Sequence, residues 1–229
     1  MKIHDIEQRT PEWYALRIGK PTASQFDKVI TPKTGKLSAQ ARKFACRLIA
    51  ERLLQEPLDL LDGIEAIERG RALEPDAIAQ YEFAEEVETR PIGFITTDDG
   101  LIGASPDRLI VGAPAGVEIK CPLLQTHIGY WLDGTDDAYR PQVQGQLWVC
   151  EFERLDFYSY HPQMEAVKRR THRDEPYIKL VDQALRDFND MLHDMYEKVR
   201  PAFFALPPTE PDRTGLALEI AGIGEAVPA

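Results

Sequence analysis

Ser105-Pro106-Asp107 is followed by Val117-Glu118-Ile119-Lys120, with ten residues between the aspartate and the glutamate. Two carboxylates at that separation suit the adjoining ends of neighbouring strands joined by a short turn. Side chains alternate along a strand, so Glu118 and Lys120 share one face while Ile119 points into the core. Two acidic groups beside an ammonium make a seat for a hard divalent cation and an activated water. Magnesium takes oxygen ligands and keeps several waters, and phosphate esters are its usual substrates. The chemistry indicated is metal-assisted hydrolysis of a phosphodiester. Alone, the pattern carries little weight, because Pro-Asp is a common turn dipeptide and Glu-x-Lys is often a solvated pair.

The elements that must position these groups can be read from spacing. Pro11-Glu12-Trp13 opens a helix with proline in its first turn, and Thr22-Ala23-Ser24 opens a second, short one through Val29. Ser38 is predicted to cap a helix on which Phe44, Ala45, Leu48, Ile49 and Leu53 recur at helical spacing, with Pro57 ending it. A longer helix is expected over about 63–85, burying Ile64, Ile67, Leu73, Ala77, Ile78 and Tyr81, with Pro75 as a kink or restart. Strands are predicted at 91–97, 101–105, 108–111 and 116–121, with turns at Asp98-Asp99-Gly100 and 112–116. A helix over 138–150, a strand over 155–160 and a helix over 174–199 follow, with regular structure ending at Pro201. This order predicts an α/β (α+β) core in a single domain over 1–206, then an acidic tail rich in Pro, Gly and Ala over 207–229.

Composition sets the outer bounds. At 229 residues, with 43% hydrophobic and 28% charged, the chain can bury one good core. No apolar run approaches the ~18 residues of a membrane span, and the first residues lack a signal-peptide stretch, so a cytoplasmic protein is expected. Cys46, Cys121 and Cys150 are scattered and read as reduced thiols rather than a zinc site. His127, His161 and His172 have no ligand spacing. A net charge of −11 argues against a protein that coats nucleic acid through long-range attraction, though not against an enzyme with a local positive surface. The basic clusters at Lys33 and Lys36, Arg42 and Lys43, and Lys168-Arg169-Arg170 with Arg173 each read more simply as solvated faces.

Five blocks in order carry a resemblance. Trp13…Leu16-Arg17-Ile18-Gly19…Thr22-Ala23-Ser24, Gly70-Arg71-Ala72-Leu73-Glu74, Gly103-Ala104-Ser105-Pro106-Asp107, Val117-Glu118-Ile119-Lys120-Cys121-Pro122 and Gln142-Val143-Gln144 with Leu147-Trp148-Val149 span residues 10–160. The chain resembles the PD-(D/E)xK nuclease superfamily and, within it, the lambda-exonuclease and YqaJ-like viral recombinase nucleases. The resemblance implies a restriction-endonuclease-like core, a central mixed sheet flanked by helices. It implies a Mg²⁺-dependent 5′→3′ exodeoxyribonuclease that degrades one strand of linear duplex DNA to 5′-mononucleotides. The 3′ overhangs left behind would serve phage-type recombination by strand annealing.

By the same resemblance, Asp107, Glu118 and the carbonyl of Ile119 would hold two Mg²⁺ ions, with Mn²⁺ an expected substitute, and Glu74 would reach them directly or through water. Lys120 would orient or deprotonate the attacking water, or neutralise developing charge. Gln142 would bond that water or the phosphate; Gln146 lies one helical turn onward on the same face, whereas Gln144 points elsewhere. Arg17 and Ser24 would bind the 5′-phosphate, for which an arginine fork and a hydroxyl at a helix N-terminus are well suited. Thr22 would assist or merely cap its helix. Ile67 lies where relatives place an apolar wedge between the last base pairs. Tyr130, Trp131 and Trp148 read as core or subunit contacts. Expected partners are double-stranded DNA with a 5′-phosphorylated end, two further copies in a ring-shaped homotrimer, and a phage single-strand annealing protein in the bacterial host cytoplasm. A superfamily endonuclease or junction resolvase, or a catalytically inactive DNA-binding subunit, are the alternatives. Iron–sulfur relatives are a poor match, because four cysteine ligands are needed and the chain has three cysteines.

Overall fold

The strand bearing Glu118 and Lys120 lies in the middle of the larger of two sheets. The computed structural model describes residues 1–58 and 65–204. In chain order the strands are β1 (Lys2–His4), β2 (Thr89–Arg90), β3 (Phe94–Thr96), β4 (Gly103–Ala104), β5 (Arg108–Ile110), β6 (Ala115–Lys120), β7 (Arg154–His161) and β8 (Met164–His172). The helices are α1 (Pro11–Arg17), α2 (Phe26–Val29), α3 (Ala41–Leu54), α4 (Glu65–Glu85), α5 (Leu124–Asp133), α6 (Asp136–Val149) and α7 (Glu175–Phe204), with a 3₁₀ turn (Ala23–Gln25) before α2. The five-stranded sheet has the order β2-β5-β6-β7-β8 and the three-stranded one the order β1-β3-β4.

β5 and β6 form a hairpin, whereas β6 and β7 run parallel, with Lys120 opposite Ser159. Parallel neighbours need a crossover, and here α5 and α6 supply it. Those helices therefore cover the face of β6 to which Glu118 points. The alternate residues Val117 and Ile119 pack on the other face with Ala77 and Tyr81 of α4, Ile110 and Tyr158. A larger cluster joins Phe26, Phe44, Leu48, Ile95, Leu147, Leu155, Val181, Leu185 and Phe188 between the sheets and α2, α3, α6 and α7. α7 reaches it through Tyr177, Val181, Ala184, Leu185, Phe188 and Leu192, a stripe at helical spacing.

Several expectations need correction. Ser38 does not cap α3: Gln40 holds that position without a side-chain bond, and the Ser38 hydroxyl accepts from the Gln40 N–H in the preceding turn. α3 stops before Pro57, where Gln55 turns left-handed at φ 55°. Neither Pro75 nor Pro201 interrupts its helix. β1, α5 and β8 were not anticipated. Gly129 and a pair of flanking breakers disguise α5, while basic residues on the edge strand β8 hide its alternation, a common protection of exposed edges. Ile64 and the expected tail at 207–229 lie outside the described residues.

Candidate active site

Asp107 immediately precedes β5, and the β5–β6 register sets Arg108 opposite Val117. This brings the aspartate against the end of β6, where its Oδ2 accepts the Ile119 N–H at 2.6 Å. Glu118 is buried, yet both of its oxygens are bonded. Its Oε1 accepts from Lys120 Nζ at 2.5 Å and from Gln142 Nε2 at 2.7 Å; its Oε2 accepts from Gln146 Nε2 at 2.7 Å. The two glutamines stand four apart on α6 and so present amides from one face. Gln144 points away, donating to the His172 carbonyl and accepting from the Asp174 N–H.

The charges are unbalanced. Burial, then the Glu118 charge and more weakly that of Glu74, push the Asp107 carboxyl well above its ordinary range, although Lys120 and the Ile119 N–H act against the shift. Burial alone would lower the Lys120 ammonium, but Glu118 and Asp107 more than offset it and hold it above its usual value. The Tyr139 ring lies 5.7 Å from Lys120 Nζ, and the Tyr139 hydroxyl bonds that of Tyr130.

A second feature adjoins the first. Arg17, Thr22 and Ser24 line a cavity of about 470 Å³ together with Lys20, Lys28 and Arg71. The Arg17 guanidinium stacks 4.0 Å above the Trp13 ring and donates to Thr22 Oγ1 and to Ser105 Oγ, each at 3.2 Å. Ser105 stands two residues before Asp107, so one arginine ties this cavity to the carboxylate cluster. Thr22 occupies the cap position of the 3₁₀ turn without making a cap bond; its hydroxyl faces Arg17 and, at 3.4 Å, Ser24. Burial and then neighbouring Arg52 lower the Lys20 ammonium.

A family model for the YqaJ-like viral recombinase domain matches residues 12–153, which include every element of both features. The chain belongs to this family. Its fold is shared with an alkaline exonuclease, LHK-Exo, from Laribacter hongkongensis: 28% identity and a TM-score of 0.76 over 86% of this chain and all of that one. LHK-Exo in complex with dAMP matches similarly, at 29% identity and a TM-score of 0.75 with the same coverage. A phage related exonuclease from Haemophilus somnus 129PT, 15% identical with a TM-score of 0.64 over 79% of this chain and 96% of that one, shares the fold. The YqaJ-family core here is thus a PD-(D/E)xK-like one, a mixed five-stranded sheet flanked by helices. A comparison with curated proteins finds no match.

Within this family member, Asp107, Glu118, Lys120 and Gln142 converge, and Arg17, Thr22 and Ser24 converge beside them. Glu74 stands at the rim, where Arg9 Nη2 donates to its Oε2 at 2.7 Å. Among the described residues no three His, Cys, Asp or Glu side chains gather at ligating distance. Ile67 is half-buried near the start of α4. Sequence reasoning put Gln146 on the face of Gln142 without giving it a role, read Ser105 only as part of the Ser-Pro-Asp motif, and missed Tyr139 and Arg9. Gln146 was signalled by its spacing of four from Gln142; Arg9 had no local signal, because its partner is 65 residues away. His127 is a buried structural residue: its Nε2–H donates to the Glu165 carbonyl, leaving Nδ1 to accept from Ser159.

Proposed function

We propose that this chain is a Mg²⁺-dependent exodeoxyribonuclease that digests one strand of linear double-stranded DNA in the 5′→3′ direction. The products would be 5′-mononucleotides and 3′ single-stranded overhangs fit for recombination by strand annealing. The observation that carries the reading is the adjacency of two sites, the Asp107–Glu118–Lys120 cluster and a cationic cavity, through the Arg17–Ser105 bond. An exonuclease needs this pairing, one site to hold the chain end and another to cut beside it. The likeness to an alkaline exonuclease also characterised with dAMP, a 5′-mononucleotide, supports the same conclusion.

The residues present fit a divalent cation. Asp107, Glu118 and the Ile119 carbonyl offer hard oxygen donors, and the Asp107 carboxyl is raised first by burial and then by the Glu118 charge, both of which a bound cation would oppose. Bound there, Mg²⁺ would supply Lewis-acid activation of water and neutralisation of phosphate charge. Gln146 fixes Glu118 through Oε2, which leaves Oε1 as the oxygen facing Lys120 and Gln142. Lys120, once released from Oε1, is placed to donate to the attacking water or to a phosphate oxygen. Gln142 orients the same group. Arg17, with the hydroxyls of Thr22 and Ser24, would grip the terminal 5′-phosphate through charge-assisted bonds. Glu74 would complete the carboxylate set, and Ile67 would part the terminal base pair.

Assembly into a ring-shaped homotrimer would place the cationic cavity toward enclosed DNA and leave the acidic surface outside. The apolar face of α5, with Leu124, Ile128, Trp131 and Leu132 exposed, supports contacts between copies. A phage single-strand annealing protein would then receive the 3′ strand. No helix among the described residues is long and apolar enough to cross a membrane. The test is a linear duplex labelled at its 5′ or its 3′ end, beside a covalently closed circle and a 5′-hydroxyl duplex, with Mg²⁺. Immediate release of labelled mononucleotide from the 5′ end alone, with the circle intact, is expected. Internal cutting of the circle would replace the exonuclease by an endonuclease or junction resolvase.

A further inference from the structure

Arg9 adopts φ 68°, a left-handed conformation that strains a residue with a Cβ. It sits in the turn before α1, next to Thr10, whose hydroxyl caps that helix. From there its side chain reaches two places at once. It donates to Glu74 on α4, and it lines the cavity shared by Arg17, Lys20, Lys28 and Arg71. Glu74 is in turn one of the carboxylates whose charge acts on Asp107. A single guanidinium therefore touches the rim of the catalytic cluster and the wall of the cationic cavity.

We propose that Arg9 is a phosphate-binding residue whose resting partner is Glu74, so that a phosphorylated DNA end takes over the guanidinium and frees Glu74 for the catalytic carboxylates. The proposal rests on the nuclease reading above and adds to it a coupling between end recognition and completion of the metal site. The exchange is physically easy. Side-chain exposures of 43% and 25% leave the Arg9–Glu74 pair well hydrated, and such pairs hold weakly. A phosphate dianion offers the planar fork two acceptor oxygens and more charge than one carboxylate. Once Arg9 has turned to phosphate, Glu74 is an unpaired carboxylate beside Asp107, and that repulsion raises the demand for a cation there. Without a DNA end, Arg9 keeps Glu74 engaged and metal binding correspondingly weaker.

Arg9→Gly suits the left-handed backbone and should fold at least as well as the wild type, while Arg9→Gln keeps a donor without charge. Two equilibrium measurements on the full chain test the idea without turnover. The first is anisotropy of labelled duplexes carrying a 5′-phosphate or a 5′-hydroxyl, in Ca²⁺. The second is calorimetric titration of Mg²⁺ into DNA-free protein. Both variants should lose about tenfold of the wild-type preference for the phosphorylated end, the scale of one charge-assisted bond. Both should also bind Mg²⁺ about two- to fivefold more tightly than wild type, the scale of a released surface pair. Wild-type values of either quantity in both variants would overturn the proposal while leaving the nuclease reading in place. A wild type with no preference for the 5′-phosphate would instead overturn the end-recognition reading, and this proposal with it.

Discussion

Asp107 carries a conflict that the rest of the site does not resolve. Its carboxyl is half-buried, faces Glu118 and is held by one main-chain N–H, and burial and then Glu118 raise it well above its ordinary range. A raised carboxyl binds its proton more tightly in the folded than in the unfolded state. Its favourable contribution is therefore complete below the unfolded value and is lost as pH rises through the folded one, so at pH values above the unfolded one an ionisable carboxyl here costs stability. Asp107→Asn should thus raise the melting temperature of the metal-free protein at pH 7, by ~2–4 °C for each kcal/mol of relief in a chain of this size, while abolishing cleavage. The gain should vanish at pH 4, where the wild-type carboxyl is protonated. Scanning calorimetry at the two pH values checks this, and a loss of stability at pH 7 would show that the site is not electrostatically strained. Glu118 and Lys120 were legible in sequence because alternation along one strand puts them on one face, and Asp107 because a short turn brings its motif beside them. Gln146 was signalled only by its spacing of four from Gln142, and Arg9 not at all, since its partner lies on a different element, 65 residues away.

At the scale of elements, β6 works because each of its faces has a distinct cover: apolar on the α4 side, amide-bearing on the α6 side. The α4 side includes a buried ion cluster on the neighbouring strand. Asp156 of β7 accepts from the Tyr81 hydroxyl and from two nitrogens of Arg170 on β8. Burial opposes its charge, but Arg170 and Tyr81 outweigh burial and hold the carboxyl below its usual range. Asp156→Ala leaves the buried Tyr81 hydroxyl without its acceptor and should cost ~1–3 kcal/mol. The double change Asp156→Ala with Tyr81→Phe should cost less than the two single changes summed. Urea unfolding of the four proteins checks this; strict additivity would remove Tyr81 from the cluster. Helical periodicity made α3, α4, α6 and α7 readable before the structure. α5 and β8 were hidden because breakers and an edge full of cations mask the pattern by which such elements are recognised.

For the whole molecule, the formal charge of −11 and a cationic cavity coexist only if charge is segregated, and the proposed ring is the arrangement that keeps DNA on the cationic side. Leu132 is 71% exposed and Trp131 49% exposed on α5, more apolar area than an isolated helix face gains by showing to water. Leu132→Asp should leave the fold unchanged and shift light-scattering mass from three copies toward one; a wild type already at one copy would contradict the ring. Charge segregation and assembly arise from surfaces brought together by folding, which is why the net charge read from the sequence left open a local positive surface but could not locate it, whereas the folded cavity does.

Diffraction from crystals soaked in Mn²⁺, recorded at the manganese edge, tests the account where it is most exposed. An anomalous peak at ~2.1–2.3 Å from oxygens of both Asp107 and Glu118, with Lys120 Nζ withdrawn from Glu118 Oε1, is the expected result. A map with no peak there, and the Lys120–Glu118 bond intact at saturating Mn²⁺, would contradict it.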